Sequence, residues 1–368
     1  MIRILHVLTA MDRAGTETML MNYYRAIDRD EIQFDFAVSA EGKCNYDDEI
    51  LSLGGRIYHY PRYRGVNHFA YKKWWNEFFK EHSEYKIVHG HIGSTAAIFL
   101  SIAKKYGCYT IAHSHVIWGK VNVRSLIWRM YSYRTRYVAD HFFGCSKDAL
   151  VARYGRKVAN DPSMADVLRN AIDASLYTYD PDVRFDIRKE LGLENDELVV
   201  GTVGRLSQAK NPLFVLNVIA ELKKLGVKFR FLWAGDGEMK DQIMGLISSH
   251  GLEDRVLMLG ARNDIPRLLQ AYDVFIFPSV NEGLGIAAIE SQAAGIPTIC
   301  STSVPAEVKV TDLCSFLPLD NISLWTDKIQ SFRDFVKTNQ YDNIVRAGYE
   351  INEAVVGLTD FYKGDNRE

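Results

Sequence analysis

The chain has 368 residues, of which 47% are hydrophobic, 24% charged and 12% aromatic, and its formal net charge is −2. That length exceeds what one hydrophobic core usually serves, so two domains are expected. The composition excludes a disordered or low-complexity chain, no internal repeat indicates a solenoid, and no apolar run is long enough to span a bilayer.

The opening run Met1–Leu8 is too short and too quickly charged to be expected as a signal peptide, and Ile2–Thr9 reads as a buried first strand. Short β-rich runs then alternate with helical patterns, the sign of parallel α/β sheets. Further strands are expected at Phe34–Ser39, Ile87–His89, Thr110–His113, His141–Gly144 and Val167–Arg169, with helices at Thr18–Ile27 and Phe69–Glu81. Met11, Met19 and Met21 read as core filler. Tyr177–Phe185, broken around Pro181, reads as a linker, which sets the expected domains at 1–175 and 176–348.

A second α/β series begins at the strand Leu198–Val203. Asn211 is expected to cap the helix Pro212–Leu225, which Gly226 ends. Strand Lys228–Ala234, helix Glu238–His250, strand Val256–Leu259, helix Ile265–Ala271 and strand Asp273–Phe277 follow. Two doubly wound domains would bind ligands at the carboxyl ends of their strands.

Charge is uneven along the chain. Residues 1–170 carry 24 Lys and Arg against 17 Asp and Glu, and the remainder carries 20 against 29. Within 56–137 the count is 14 against 3, interleaved with Tyr, Trp and Phe. Such a stretch suits anionic lipid headgroups or an anionic acceptor, or it is simply a solvated surface. No nucleic-acid-binding module is recognisable, so no nucleic-acid partner is expected. The five cysteines (Cys44, Cys108, Cys145, Cys300 and Cys314) include no CxxC pair, and a reducing cytoplasmic setting is expected.

The most informative stretch runs from Phe277 to Glu290. A strand ends at Phe277, and a loop with Glu282 leads into a helix starting near Gly283-Leu284-Gly285, which Gly295 and Pro297 close. Glycines allow close backbone approach, and a helix start offers N–H groups to an anion. Glu290 lies in an otherwise apolar helix, where a carboxylate without a partner is costly. One carboxylate can serve a sugar and the other a ribose diol. The second constellation is Gly204-Arg205-Leu206 with Lys210-Asn211, where two cations could hold a diphosphate and stabilise a departing nucleotide. Walker and dinucleotide-binding glycine patterns are absent.

These motifs together resemble the large family four of retaining glycosyltransferases, which have the GT-B fold. The resemblance rests on Gly204-Arg205-Leu206, Lys210-Asn211, Gly235-Asp236-Gly237, the carboxylates Glu282 and Glu290 eight residues apart, Ala294-Gly295-Ile296-Pro297 and Asn170-Ala171-Ile172-Asp173. It implies two Rossmann-like domains facing each other across a cleft, the first on the acceptor side and the second binding the nucleotide sugar. It also implies that the last segment, 349–368, packs back onto the first domain.

Arg205 and Lys210 would then bind the donor diphosphate, Glu290 the ribose and Glu282 the transferred sugar. Gly204, Gly235, Gly283, Leu284 and Gly285 would line the donor. His113 falls where the family has a histidine beside the donor sugar. Gly15, in the loop Arg13–Glu17, would approach the donor by its backbone, with Ala14 where the family has another glycine. Arg262, in the loop Gly260–Asp264, is placed near the base. The segment Val304–Val308 is similar to the family's P-E-V.

The implied function is transfer of a hexose-type sugar from a nucleotide sugar, UDP-linked, to a glycan or lipid-linked acceptor in capsule or exopolysaccharide assembly. The enzyme would work with retention, without metal or other cofactor, and with peripheral contact to the inner membrane face. The alternative is a non-catalytic nucleotide-sugar-binding subunit, against which the intact Arg205, Lys210, Glu282 and Glu290 argue. Glu282 and Glu290 stand on one loop–helix element, which does not suit a hydrolase that flanks a sugar from both faces. His89, His91, His113 and His115 end separate strands with no Asp or Glu near them in sequence, so no metal site is expected.

Overall fold

The computed structural model describes residues 1–115 and 132–364. Residues 116–131 of the basic aromatic stretch, and 365–368 of the closing segment, lie outside the described residues. The chain forms two compact units, Met1–Ile172 with Tyr349–Glu368, and Asp173–Gly348.

In the first unit, strands β1 (Ile2–Val7), β2 (Ile32–Val38), β3 (Ile57–His59), β4 (Ile87–Gly90), β5 (Tyr109–Ser114), β6 (His141–Gly144) and β7 (Ala165–Val167) form one sheet in the order β3-β2-β1-β4-β5-β6-β7. Its strand pairs are parallel. Successive residues of a strand point to opposite faces. Ile4 therefore joins a core with Phe34, Phe36, Ile87 and Ile111, while Leu5 and Val7 join another with Trp75, Val88 and Phe99. Both faces are covered, which explains the near-continuous apolar strands. Met11, Met19 and Met21 are fully buried in the first of these cores.

The last helix, Ile351–Lys363, belongs to this unit. Its apolar residues Ile351, Val355, Leu358, Phe361 and Tyr362 recur at helical spacing and enter the Ile4 face. Tyr362 Oη lies 2.7 Å from His89 Nδ1. Asn22 and Tyr23 of the helix Gly15–Ala26 donate to the carbonyls of Ala171 and Arg169, and Ile172 forms a parallel bridge with Glu350, where the chain leaves the unit and returns.

In the second unit, β8 (Leu198–Val203), β9 (Phe229–Ala234), β10 (Val256–Gly260), β11 (Val274–Phe277), β12 (Thr298–Ser301) and β13 (Cys314–Leu317) are arranged β10-β9-β8-β11-β12-β13, again in parallel pairs. Three expectations need correction. The stretch read as a linker is folded: Ala174–Tyr177 is a 3₁₀ turn, and Pro181–Glu190 is a helix with Pro181 in its first turn and the Asp180 carboxylate accepting from the N–H of Asp182 and Val183. Arg184 and Arg188 of that helix reach Asp273 at 2.5 and 3.3 Å, and Asp273 also accepts the Val199 N–H. Pro181, which broke the pattern, is a helix starter.

Asn211, in turn, does not cap with its side chain. Its backbone is left-handed, with φ 54° and ψ 51°, because it joins the 3₁₀ turn Gln208–Lys210 directly to the helix Pro212–Lys224. Gly15 is the first residue of the helix Gly15–Ala26 rather than part of a preceding loop.

Phe361→Ala is expected to destabilise the first unit by about 3–5 kcal/mol, because it leaves a cavity between the last helix and the sheet. Urea unfolding followed by far-UV circular dichroism measures this. A loss below about 1 kcal/mol would mean that the helix contributes little to that core.

Candidate active site in the second unit

Strand order reverses between β8 and β11, and the loops after these two strands carry the predicted donor residues. Such a reversal leaves a crevice at the carboxyl ends that no crossover covers. The loop after β8 brings Lys210, and the loop after β11 brings Glu282. Lys210 Nζ meets Glu282 Oε1 at 2.5 Å, and the Val280 N–H donates to the Ala209 carbonyl, tying the two loops together. The ammonium also lies 4.4 Å from the centroid of the Phe277 ring.

Glu290 stands on the helix Ile286–Ala293, 7% exposed. Its Oε1 accepts from Tyr177 Oη at 3.0 Å. Burial raises its pKa to about 7, with the Tyr177 bond and the Lys210 charge opposing. Lys210 thus acts on both carboxylates, by contact with Glu282 and by charge on Glu290.

Backbone packing shapes the rest of the crevice. Gly235 has φ 145°, and a Cβ there would lie 2.0 Å from the Gly204 carbonyl oxygen. That oxygen accepts from Trp233 Nε1 at 2.8 Å, and the Leu206 N–H donates to the Asp236 carbonyl. Gly285, with φ 104°, turns the chain into the helix, where a Cβ would press on the Phe277 ring at 2.9 Å. Leu284 is buried beneath this turn.

Of the other expected residues, Arg205 is 73% exposed and paired with Glu238 at 3.1 Å, so Lys210 alone contacts the paired carboxylate. Arg262 forms a two-pronged pair with Asp264 at 2.7 and 2.5 Å. Val308 of the segment Val304–Val308 is buried, and its carbonyl accepts from Gln292. His113 lies in the first unit, on β5, buried, and its ring nitrogens have no hydrogen-bond partner among the described residues. It joins His6, His89, His91 and His115, all with pKa values lowered by burial. The expectation that these histidines end separate strands holds, but the strands are neighbours and the rings converge, as ring-centroid separations of 3.9–5.3 Å show.

Two participants escaped the sequence reading. Tyr177 sits in the stretch read as a linker, and the Asp180-Pro181 start signal just beyond it is the cue that this stretch is folded. His6, within the first strand, gives no local signal for this cluster because its partners are distant in sequence.

Residues 183–313 match the family model described as "Glycosyl transferases group 1". The chain is 31% identical over 376 residues to EpsF of Bacillus subtilis (strain 168), a protein named as a glycosyltransferase, covering 98% of this chain and 96% of that one. It is 38% identical over 150 residues to an Escherichia coli UDP-Gal:α-D-GlcNAc-diphosphoundecaprenol α-1,3-galactosyltransferase, which covers 38% of this chain and 37% of that enzyme. Among solved structures, Anabaena Alr3699/HepE in complex with UDP and glucose superposes with a TM-score of 0.77 over 99% of both chains at 17% identity, which shows a common GT-B fold.

The Glu290 carboxyl gives a pH signature. Its folded pKa near 7 exceeds its ordinary value of 4.5, so the native state binds more protons than the unfolded state between those values. Stability is therefore favoured below about pH 4.5 and declines as pH rises through about 7, by at most about 3 kcal/mol. Glu290→Gln removes this contribution, and its melting temperature relative to wild type is expected to rise between pH 5 and pH 8. A difference that does not change with pH would show that Glu290 does not titrate there.

Proposed function

The chain belongs to the group 1 glycosyltransferases, and from that premise we propose that it transfers a hexose-type sugar from a UDP-sugar to a glycan or lipid-linked acceptor, with retention of anomeric configuration. The observation that carries this reading is the Lys210–Glu282 pair, 2.5 Å apart at the strand-order reversal of the second sheet. A cation held on a carboxylate in a crevice can be given up to a diphosphate, which offers more negative charge and releases Glu282 for the sugar hydroxyls.

In this reading Lys210 binds the diphosphate and stabilises the charge that develops on the departing UDP, joined by Arg205 once it leaves Glu238. Glu290, held by Tyr177, accepts from the ribose hydroxyls. The backbone of Gly204, Gly235, Gly283, Leu284 and Gly285 lines the donor, and Arg262 serves the base. Gly15 and His113, in the first unit, keep the donor-sugar roles that the family resemblance assigns.

Two cations can neutralise a diphosphate without a divalent ion, so no metal or other cofactor is assigned to the reaction. The leaving phosphate is then the base that takes the acceptor proton on the same face of the sugar. The diphosphoundecaprenol acceptor in the name of the Escherichia coli relative supports a lipid-linked acceptor, and in this reading the transfer serves polysaccharide assembly at the cytoplasmic membrane face. Among the described residues no helix is long and apolar enough to cross a membrane; contact through the basic surface of the first unit, where Phe69 and Tyr137 are exposed while Tyr71, Trp75 and Phe78 are buried, is proposed instead.

The test is a thermal-shift and nucleotide-release screen against UDP-, GDP- and ADP-sugars. UDP-sugars are expected to stabilise the wild type and release UDP slowly, unchanged by excess chelator. Lys210→Ala should lower kcat/KM by about 10²–10³-fold and abolish stabilisation by UDP itself. Glu282→Ala should keep stabilisation by UDP but lose the increment due to the sugar. If no nucleotide or nucleotide sugar stabilises the protein, the reading fails. Product of inverted configuration by NMR would remove retention alone.

A further inference from the structure

The first sheet reverses its order between β1 and β4, and histidines gather at the carboxyl ends there. His6 on β1 is in register with His89 on β4. His91 follows two residues later, and on β5, where Ile111 is the register partner of His89, His113 and His115 lie two and four residues further on, His115 just past the strand end. Two-residue spacing puts each pair on a single face of its strand. The rings touch in a chain: His6 Nδ1 lies 3.0 Å from His91 Nε2, and His91 Nδ1 lies 2.8 Å from His115 Nε2. His113 and His115 rings are 3.9 Å apart, centroid to centroid.

Buried polar atoms almost always have hydrogen-bond partners. Here His6 Nε2, His89 Nε2, both nitrogens of His113 and Nδ1 of His115 are buried with none among the described residues. That is a concentration of unmatched lone pairs and N–H groups in one place, on a sheet edge where such folds bind ligands. No carboxylate joins the two groups of three histidines whose nitrogens lie within 4.8 Å of one another: His6, His89 and His91, and His91, His113 and His115.

We propose that His91, His113 and His115 form a binding site for a borderline transition-metal dication such as Zn²⁺. Three imidazoles leaving a fourth position to water or a ligand are an established zinc arrangement, and all-nitrogen donors discriminate against Mg²⁺ and Ca²⁺, which require oxygen. This trio is preferred over His6, His89 and His91 because His91 and His115 are partly exposed, whereas His6 and His89 are fully buried. An ion can reach the first set without opening the core. With the His91 Nε2–H donating to His6 Nδ1, the His91 Nδ1 lone pair faces His115, so His6 orients the ligand in the way that outer hydrogen bonds fix metal-binding imidazoles. Zn–N bonds of about 2.0–2.1 Å in a tetrahedral site place neighbouring nitrogens about 3.3 Å apart, so His91 and His115 must separate by about half an ångström. His113 is shared with the donor reading, and an ion would occupy one of its two unpartnered ring nitrogens and leave the other for the sugar. Because the readouts need neither nucleotide nor acceptor, failure of one reading is distinguishable from failure of the other.

The experiment uses tag-free, full-length protein dialysed against a chelator and titrated with Co²⁺, whose visible d–d band reports nitrogen coordination, and with Zn²⁺ by calorimetry. One equivalent of each is expected, with Zn²⁺ displacing Co²⁺. His113→Gln and His115→Gln should lose the band and the heat, while His250→Gln, an exposed histidine of the second unit, keeps both. Circular dichroism confirms that the variants are folded. Absence of both band and heat in the wild type overturns the proposal. Binding that survives His113→Gln and His115→Gln but is lost in His89→Gln also overturns it, by moving the ion to the other trio.

Discussion

Parallel strand pairing brings every strand of a sheet to the same edge, and in each unit the strand order reverses once, between β1 and β4 and between β8 and β11. A crossover that leaves one strand to the right and the next to the left cannot cover the gap between them. Loops at that gap are free to meet a ligand without disturbing the cores on both faces of the sheet. Lys210 and Glu282 occupy the gap in the second sheet, and His6, His89 and His91 occupy it in the first. The chemistry of each unit follows from where its topology leaves an opening.

Polar groups taken out of water must be paired or poised. Asp35, Asp273 and Gln292 show the paired solution in purely structural form. Asp35 takes Arg3 at 2.6 Å, the Tyr85 hydroxyl and the Arg56 N–H; Gln292 binds the Val308 carbonyl and the Thr311 hydroxyl. These groups have little left to offer a ligand. Glu290 differs, since Tyr177 satisfies one oxygen while burial keeps its carboxyl near neutrality's edge. Lys210 and Glu282 satisfy one another by a contact that a more highly charged partner can replace. The histidine group is the extreme case, with five buried nitrogens lacking a hydrogen-bond partner among the described residues. The contrast separates groups that hold the fold from groups held ready by it.

Tight backbone approaches set the precision of the second site. The Gly204 carbonyl is fixed by Trp233 and closely overlain by Gly235, so the loop before Lys210 has little freedom. Preorganisation of this kind lets a loop cation act without the cost of ordering it when the ligand arrives. The last helix has the equivalent place in the first unit, where Tyr362 contacts His89 and Phe361 lies against Phe143 and His141. His6 and His89 are therefore packed against a segment whose Tyr362 lies 273 residues beyond His89.

Local sequence determined the elements whose signals are local. Apolar runs and helix starts located β8, β11 and the helix Ile265–Ala271, and the order of strands and helices established two doubly wound sheets. Glycines at the loop–helix junction, and a carboxylate in an otherwise apolar helix, marked Glu282 and Glu290. Tertiary structure decided what depends on partners distant in sequence. Asp180 and Pro181 begin a helix whose Arg184 and Arg188 clamp Asp273, almost 90 residues away, so a stretch that looks broken by itself is folded. Tyr177, in the 3₁₀ turn before that helix, donates to Glu290, 113 residues further along. Arg205 pairs with Glu238 while Lys210 pairs with Glu282, a choice between carboxylates that composition cannot rank. The histidines on β1, β4 and β5 meet because strand order and register align them, and neither is written in any one strand: hydrophobic pattern fixes which face a residue takes, but only the packed sheet fixes its neighbours.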